Sequence, residues 1–170
     1  MAVACRSAAV PAGRWTSPSP CAGWSAADVV GHPIGTQREF LGSHGGDLGG
    51  APDVAADPAA AWRAHAARVA TALSDDTVPA RPFDGFSGPT TVGAALVQSH
   101  VREVLVHRWD VARAVRADDR LTDEELDRVA AGGDGSRPAL HMGGICRPAV
   151  DPPADAHRQT RVLARLGRSA

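Results

Sequence analysis

"HVREVLVHRWD", residues 100–110, decides how this chain folds. His100, Glu103 and His107 stand three and then four residues apart, so on a helix they share one face. At roughly 100° per residue, Leu96, Val97, Val104, Val111, Ala114 and Val115 also fall within about 60° of His100. Gln98, Arg102, Arg113 and Arg116 fall opposite. The stripe of two imidazoles and a carboxylate therefore lies on the apolar side and points inward.

Around this helix, expected from about Thr91 to Arg116, the caps of others are readable. Ser25 with Asp28 forms a capping box that opens a helix running to about Leu41. Pro33 falls inside it, where the missing N–H should kink it or loosen its first turn. Asp57 and Pro58, a cap and a first-turn proline, open a second helix with Trp62, Ala66, Val69 and Leu73 at core spacing. Thr122 with Glu125 starts a short helix that Gly132-Gly133 should stop. "GGDGSRPALHMGGICRPAVDPP" reads as irregular, and "DAHRQTRVLARLG" as a last amphipathic turn or two closing on Gly167. No alternating strand pattern of useful length and no internal repeat occurs. The expectation is a single all-α domain over residues 1–170, an up-down bundle with long decorated loops.

The totals narrow the function. A chain of 170 residues, 44% hydrophobic and 22% charged, suits one globular domain. A net charge of −1 gives no electrostatic case for nucleic acid or an anionic membrane. No stretch approaches the roughly 20 apolar residues of a membrane span, and the N-terminus lacks a signal-peptide pattern. A cytoplasmic protein is expected. Cys5, Cys21 and Cys146 are odd in number and widely spaced, giving neither a disulfide framework nor a metal knuckle. Every basic residue is Arg, and Lys, Asn and Tyr are absent, as a high-GC bacterial genome would produce.

Inward ionisable groups need a reason, because unpaired they are expensive to bury. One reason is a satisfied His-Glu-His network that only fixes packing. Another is a metal: imidazole nitrogen and carboxylate oxygen suit zinc and related divalent ions, and Glu103-x-x-x-His107 sets two ligands one turn apart. A third ligand would come from His100 or from another helix. Of the remaining histidines, His44 and His141 fall in loops and read as solvated, and His65 reads as an edge residue of the second helix. His32 is ambiguous: the apolar side of its helix centres on Val30, Ile34, Phe40 and Leu41, while His32 goes with Asp28, Thr36 and Glu39. Trp109 reads as packing, Arg113 as a rim residue and Cys21 as structural.

"PSPCAGWSAADVVGHPIG" at residues 18–35, "EVLVHRWDVARAV" at 103–115 and the terminal "RVLARLGR" at 161–168 together resemble the DinB-like metal-binding family. The resemblance is to its actinobacterial branch, related to mycothiol-dependent maleylpyruvate isomerase, and it covers about Trp15 to Arg168. It implies a DinB-like bundle in which His32, Glu103 and His107 hold a divalent ion, zinc as first choice. His100 and Asp110 then become supporting groups. It also implies a small-molecule substrate and mycothiol as cosubstrate, in thiol-dependent transfer or isomerisation. The competing expectation is a non-catalytic, metal-stabilised or degenerate module acting through protein contacts. Two features depart from the family pattern. Only "MAVACRSAAVPAGR" stands before the Gly-Trp turn, where members carry a full N-terminal helix, which predicts either a misassigned start codon or a truncated bundle completed by a partner, a homodimer in the simplest case. Pro33 stands where an aliphatic residue is usual, and is expected to weaken the site.

Overall fold

The computed structural model describes residues 10–86, 88–135 and 148–169; Cys5, His141 and Cys146 lie outside them. The first capping box forms as the residues dictate: the Ser25 hydroxyl accepts from the Asp28 amide (3.2 Å) and the Asp28 carboxylate from the Ser25 amide (2.8 Å). It opens α1, Ala26–Ser43, which continues as helix through Pro33 although that residue has no N–H for the carbonyl of Val29. Asp57 caps α2, Pro58–Ala72, by accepting from the Ala60 amide at 2.9 Å. A two-stranded antiparallel hairpin follows, β1 at Pro82–Gly85 and β2 at Gly88–Thr91. Four residues per strand are too few for a period-2 pattern, which is why the sequence reads there as loop.

Thr91 ends β2 and caps the long helix that begins with α3, Val92–Ala95. A π-helical stretch, Leu96–His100, joins α3 to α4, Val101–Val115, and Arg116 ends α4 in the left-handed conformation. The π stretch corrects one expectation. Its wider i→i+5 turn shifts the helical phase, so a 100° wheel cannot be carried across it. Val97, placed by that wheel on the apolar face, is 61% exposed. Thr122 and Glu125 form the expected box at the start of α5, Asp123–Gly135. That helix runs on through Gly132-Gly133, where a stop was expected. The final helix, α6, is Arg158–Ala164, and Gly167 follows with φ +73°.

The result is a mostly helical bundle organised on α4. One side of α4 packs with α5 and α6 around Leu105, Trp109, Val129 and Leu163. The other meets α1, the start of α2 and Trp15 around Val29, Ile34, Val111 and Val115. Each such large side chain contributes about 1.5–3 kcal/mol relative to exposure. A third cluster, Leu41, Leu48, Val78, Val92 and Leu96, seats the hairpin at the far end of α1. Among the described residues, no helix is long and apolar enough to cross a membrane.

Two histidines differ from their expected settings. His44 is half-buried, its ring 4.6 Å from that of Phe40 and 4.4 Å from that of Phe83, with Nδ1 on the Phe40 carbonyl at 2.7 Å. His65 is no edge residue. It is fully buried, because α2 presents Pro58, Ala61 and His65 to the bundle while Ala66 is exposed. Its Nε2 bonds Gln37 Oε1 at 3.0 Å and its Nδ1 is buried without a partner. Burial, helped by the charges of Arg38 and Arg68, holds its pKa at about 4, against 6.5 ordinarily. The folded state therefore disfavours the imidazolium. Stability from this group is complete above pH 6.5 and is lost as pH falls from there towards 4, by up to about 3 kcal/mol. In urea titrations, wild type minus His65→Gln should lose stability over that interval; parallel pH curves would contradict it.

Candidate metal centre

The turn "SPSPCAGW" delivers the first wall of the site. Ser19 and Trp24 bond across it (2.9 Å), and Gly23 supplies the φ of +77° that closes it. Trp24 then packs at a tilt of 54° against the ring of His32, 4.9 Å away, and reaches that of His107 at 6.2 Å. His32 lies two turns into α1, and Glu103 and His107 lie one turn apart on α4, which packs against α1.

At this crossing His32 Nε2 is 2.9 Å from Glu103 Oε1, and the His32 and His107 rings meet edge-on at 5.4 Å. One ligand-type atom from each of His32, Glu103 and His107 lies within 4.8 Å of the others. All three are part-buried, with the His32 side chain 38% exposed, so the group opens to solvent on the α1 side.

Supporting groups surround the three. His100 Nδ1 is 3.2 Å from Glu103 Oε2, and the Thr36 hydroxyl donates to the same carboxylate at 3.4 Å. Burial alone would raise the Glu103 pKa; hydrogen bonds from His100 and His32, with the charges of His100 and His107, override it and hold it at about 2. Glu103 is thus an anion at neutral pH, the state a metal ligand needs.

His107 is fixed from behind. Its Nδ1 bonds Asp110 Oδ2 at 3.0 Å, which leaves Nε2 as the nitrogen with a lone pair to offer. Asp110 is fully buried and carries two further partners: Arg168, through Nη2 at 3.0 Å and Nε at 3.3 Å, and the Cys21 thiol at 3.3 Å. Burial would raise Asp110, but His107 and Arg168 hold it below the ordinary carboxylate range. Burial, then the charge of Asp110, pushes the Cys21 thiol up to about 11 against the opposing pull of Arg168. A thiol so protonated is a poor nucleophile, in keeping with its structural reading. Cys21, His107 and Asp110 also lie close enough to hold an ion. There, however, the Arg168 guanidinium already sits 3.0 Å from Asp110 and 3.7 Å from the thiol.

A family model described as the mycothiol maleylpyruvate isomerase N-terminal domain matches residues 2–112. The chain belongs to that family. No curated protein and no solved structure gives a significant match. The match to the mycothiol maleylpyruvate isomerase N-terminal domain takes in His32, Glu103, His107 and Asp110 and stops within α4. Arg168, which clamps Asp110, lies beyond it.

Sequence reasoning brought His32, Glu103 and His107 forward as a set and named His100 and Asp110 as supports. It did not find Thr36, nor the joining of Cys21 and Arg168 on Asp110. Thr36 carried a signal, since it stands one turn from His32 on the same polar edge of α1. The other two had none, because 89 and 58 residues separate them from Asp110.

Proposed function

We propose that this protein binds one divalent ion through His32, Glu103 and His107, zinc being the first choice, and uses it in thiol-dependent transfer or isomerisation with mycothiol as the thiol. The observation that carries the reading is the donor set. Two imidazoles and an ionised carboxylate, from positions 32, 103 and 107, meet within 4.8 Å, and one imidazole is pinned in its tautomer by a buried aspartate. A bound ion would supply Lewis acidity and lower the pKa of a thiol reaching it. The chain's own part is to hold that set rigid: Asp110 orients His107, His100 and Thr36 orient Glu103, and Trp24 backs His32. Among the described residues the one cysteine, Cys21, is protonated and turned to Asp110, in keeping with a reactive sulfur that arrives on the cosubstrate. A cytoplasmic location goes with this reading, since a thiol cosubstrate stays reduced there.

The second reading is a module whose polar network serves structure alone. It is favoured by one observation: Glu103 is bonded by His32, His100 and Thr36 together, so its carboxylate is satisfied by protein groups. Cobalt substitution separates the two. Mycothiol titrated into the cobalt form should produce a sulfur-to-cobalt charge-transfer band, absent in Glu103→Ala along with the metal. A cobalt spectrum that ignores saturating thiol would replace the transferase reading with the structural one.

A further inference from the structure

His107 belongs to two groups of donors, each able to hold an ion. One is completed by His32 and Glu103, the other by Cys21 and Asp110, whose ligand atoms also lie within 4.8 Å of one another and of His107. Nδ1 of the imidazole serves the second group: it is 3.0 Å from Asp110 Oδ2, and the Cys21 sulfur is 3.3 Å from the same oxygen. The two ion positions exclude each other through the ring. An ion with His32 and Glu103 takes the Nε2 lone pair and needs the proton on Nδ1. An ion with Cys21 and Asp110 takes the Nδ1 lone pair and needs the proton on Nε2.

By donor type the second group should win, because thiolate sulfur suits zinc and softer ions better than a second imidazole does. Arg168 stands in its way. Nη2 of its guanidinium is 3.0 Å from Asp110 Oδ2 and 3.7 Å from the Cys21 sulfur, and Nε is 3.3 Å from Oδ1. Asp110 is fully buried and the Arg168 side chain only 10% exposed, so charge at this point has to balance. A divalent ion brings the two positive charges that the guanidinium and the thiol proton now supply together. With Arg168 in place it would instead crowd a cation already bonded to the same carboxylate and bury an excess of positive charge. We infer that Arg168 keeps the divalent ion on the Nε2 side of His107 and the chain's own thiol off it, which leaves the open positions to a thiol from outside. That last consequence rests on the metal-dependent transferase reading; the exclusion at Cys21 stands without it. Without the guanidinium, an ion enters the second group. The thiol proton leaves to solvent, the His107 proton is exchanged from Nδ1 to Nε2, and the ion bonds to sulfur, Nδ1 and an Asp110 oxygen.

Cadmium is the probe, since its bond to a thiolate gives an ultraviolet charge-transfer band. Cys5 and Cys146 also carry thiols, so the signal is the part of the band that Cys21→Ser removes. Wild-type protein titrated with cadmium should show no such part. Arg168→Met, which keeps the stem and drops the charge, should show it, and nitrogen NMR of that complex should find His107 protonated on Nε2 instead of Nδ1. Arg168→Lys, which keeps a cation, should again show none. Arg168→Met takes the guanidinium from a buried carboxylate, so cadmium should raise its melting temperature, or fold it if it does not fold alone, and Cys21→Ser should cancel that gain. A Cys21-dependent band in wild type, no such band in cadmium-treated Arg168→Met, or a proton still on Nδ1 in that complex would overturn the inference. Cadmium binding by wild type that Glu103→Ala does not reduce would instead remove the reading of His32, Glu103 and His107 as the ion's ligands. The Cys21-dependent band gained by Arg168→Met would still establish Arg168 as the group that closes the second position.

Discussion

Alanine at His32, Glu103 or His107 is expected to reduce bound metal from about one ion per chain to near none, while His44→Ala keeps it. Three ligands are the minimum for an open zinc site, so none is dispensable. Losing Glu103 also removes the only negative charge in the set, leaving two imidazoles to hold a dication. His44 is the control because it is equally a half-buried histidine, yet it is committed to the Phe40 carbonyl and the Phe40–Phe83 ring cluster. The measurement is elemental analysis of untagged protein after dialysis against a weak chelator. Wild-type occupancy in all three variants would show that the ion, if bound, sits elsewhere. His100→Ala belongs in the same series: as a support it should weaken the ion by roughly 10–100-fold rather than remove it.

Asp110→Ala is expected to be the most damaging single change for both stability and metal affinity. The carboxylate is fully buried and is the meeting point of His107, Arg168 and Cys21. Removing it takes the Asp110 carboxylate away from the Arg168 side chain, itself only 10% exposed. Breaking a buried pair from one side costs about 3–5 kcal/mol, several times what an exposed ion pair is worth. The same change frees the His107 tautomer and should weaken metal roughly 10–100-fold. Urea unfolding of the metal-free protein isolates the first effect, and chelator competition on the loaded protein measures the second. Metal-free variant and wild type unfolding at the same urea concentration would mean that Asp110 is not the buried anchor described. Asp110→Asn should recover part of the stability but little of the affinity, since the amide oxygen still accepts hydrogen bonds but carries no charge to set against Arg168.

Local chemistry made the helices legible. Ser25 with Asp28, Asp57 with Pro58, and Thr122 with Glu125 satisfy orphan amides within four residues, so no distant partner is needed to predict them. The inward face of α4 was legible for the same reason: Glu103 and His107 stand one turn apart with Val104 and Val111, and periodicity within one helix is a local property. Reading failed where the phase changed or where burial came from across the bundle. Val97 was misplaced because the π turn before α4 breaks the wheel. His65 was misplaced because Gln37, 28 residues earlier on another helix, makes its burial tolerable.

Residues alone determined a helical chain with a His/Glu stripe facing inward, and the resemblance of its motifs brought His32 to that stripe. Only the tertiary structure decided how the set is held. On α1 by itself, His32 and Thr36 group with Asp28 and Glu39 as a solvated edge. The α1–α4 crossing turns His32 and Thr36 towards Glu103 and makes that polar edge the wall of a site. The clamp on Asp110 likewise needs the chain end after α6 to return to the turn at Cys21. A helical wheel divides residues by their distance from one axis. Whether a polar edge faces water or another helix's carboxylate is settled by where the second axis lies, and that depends on the packing of the whole bundle.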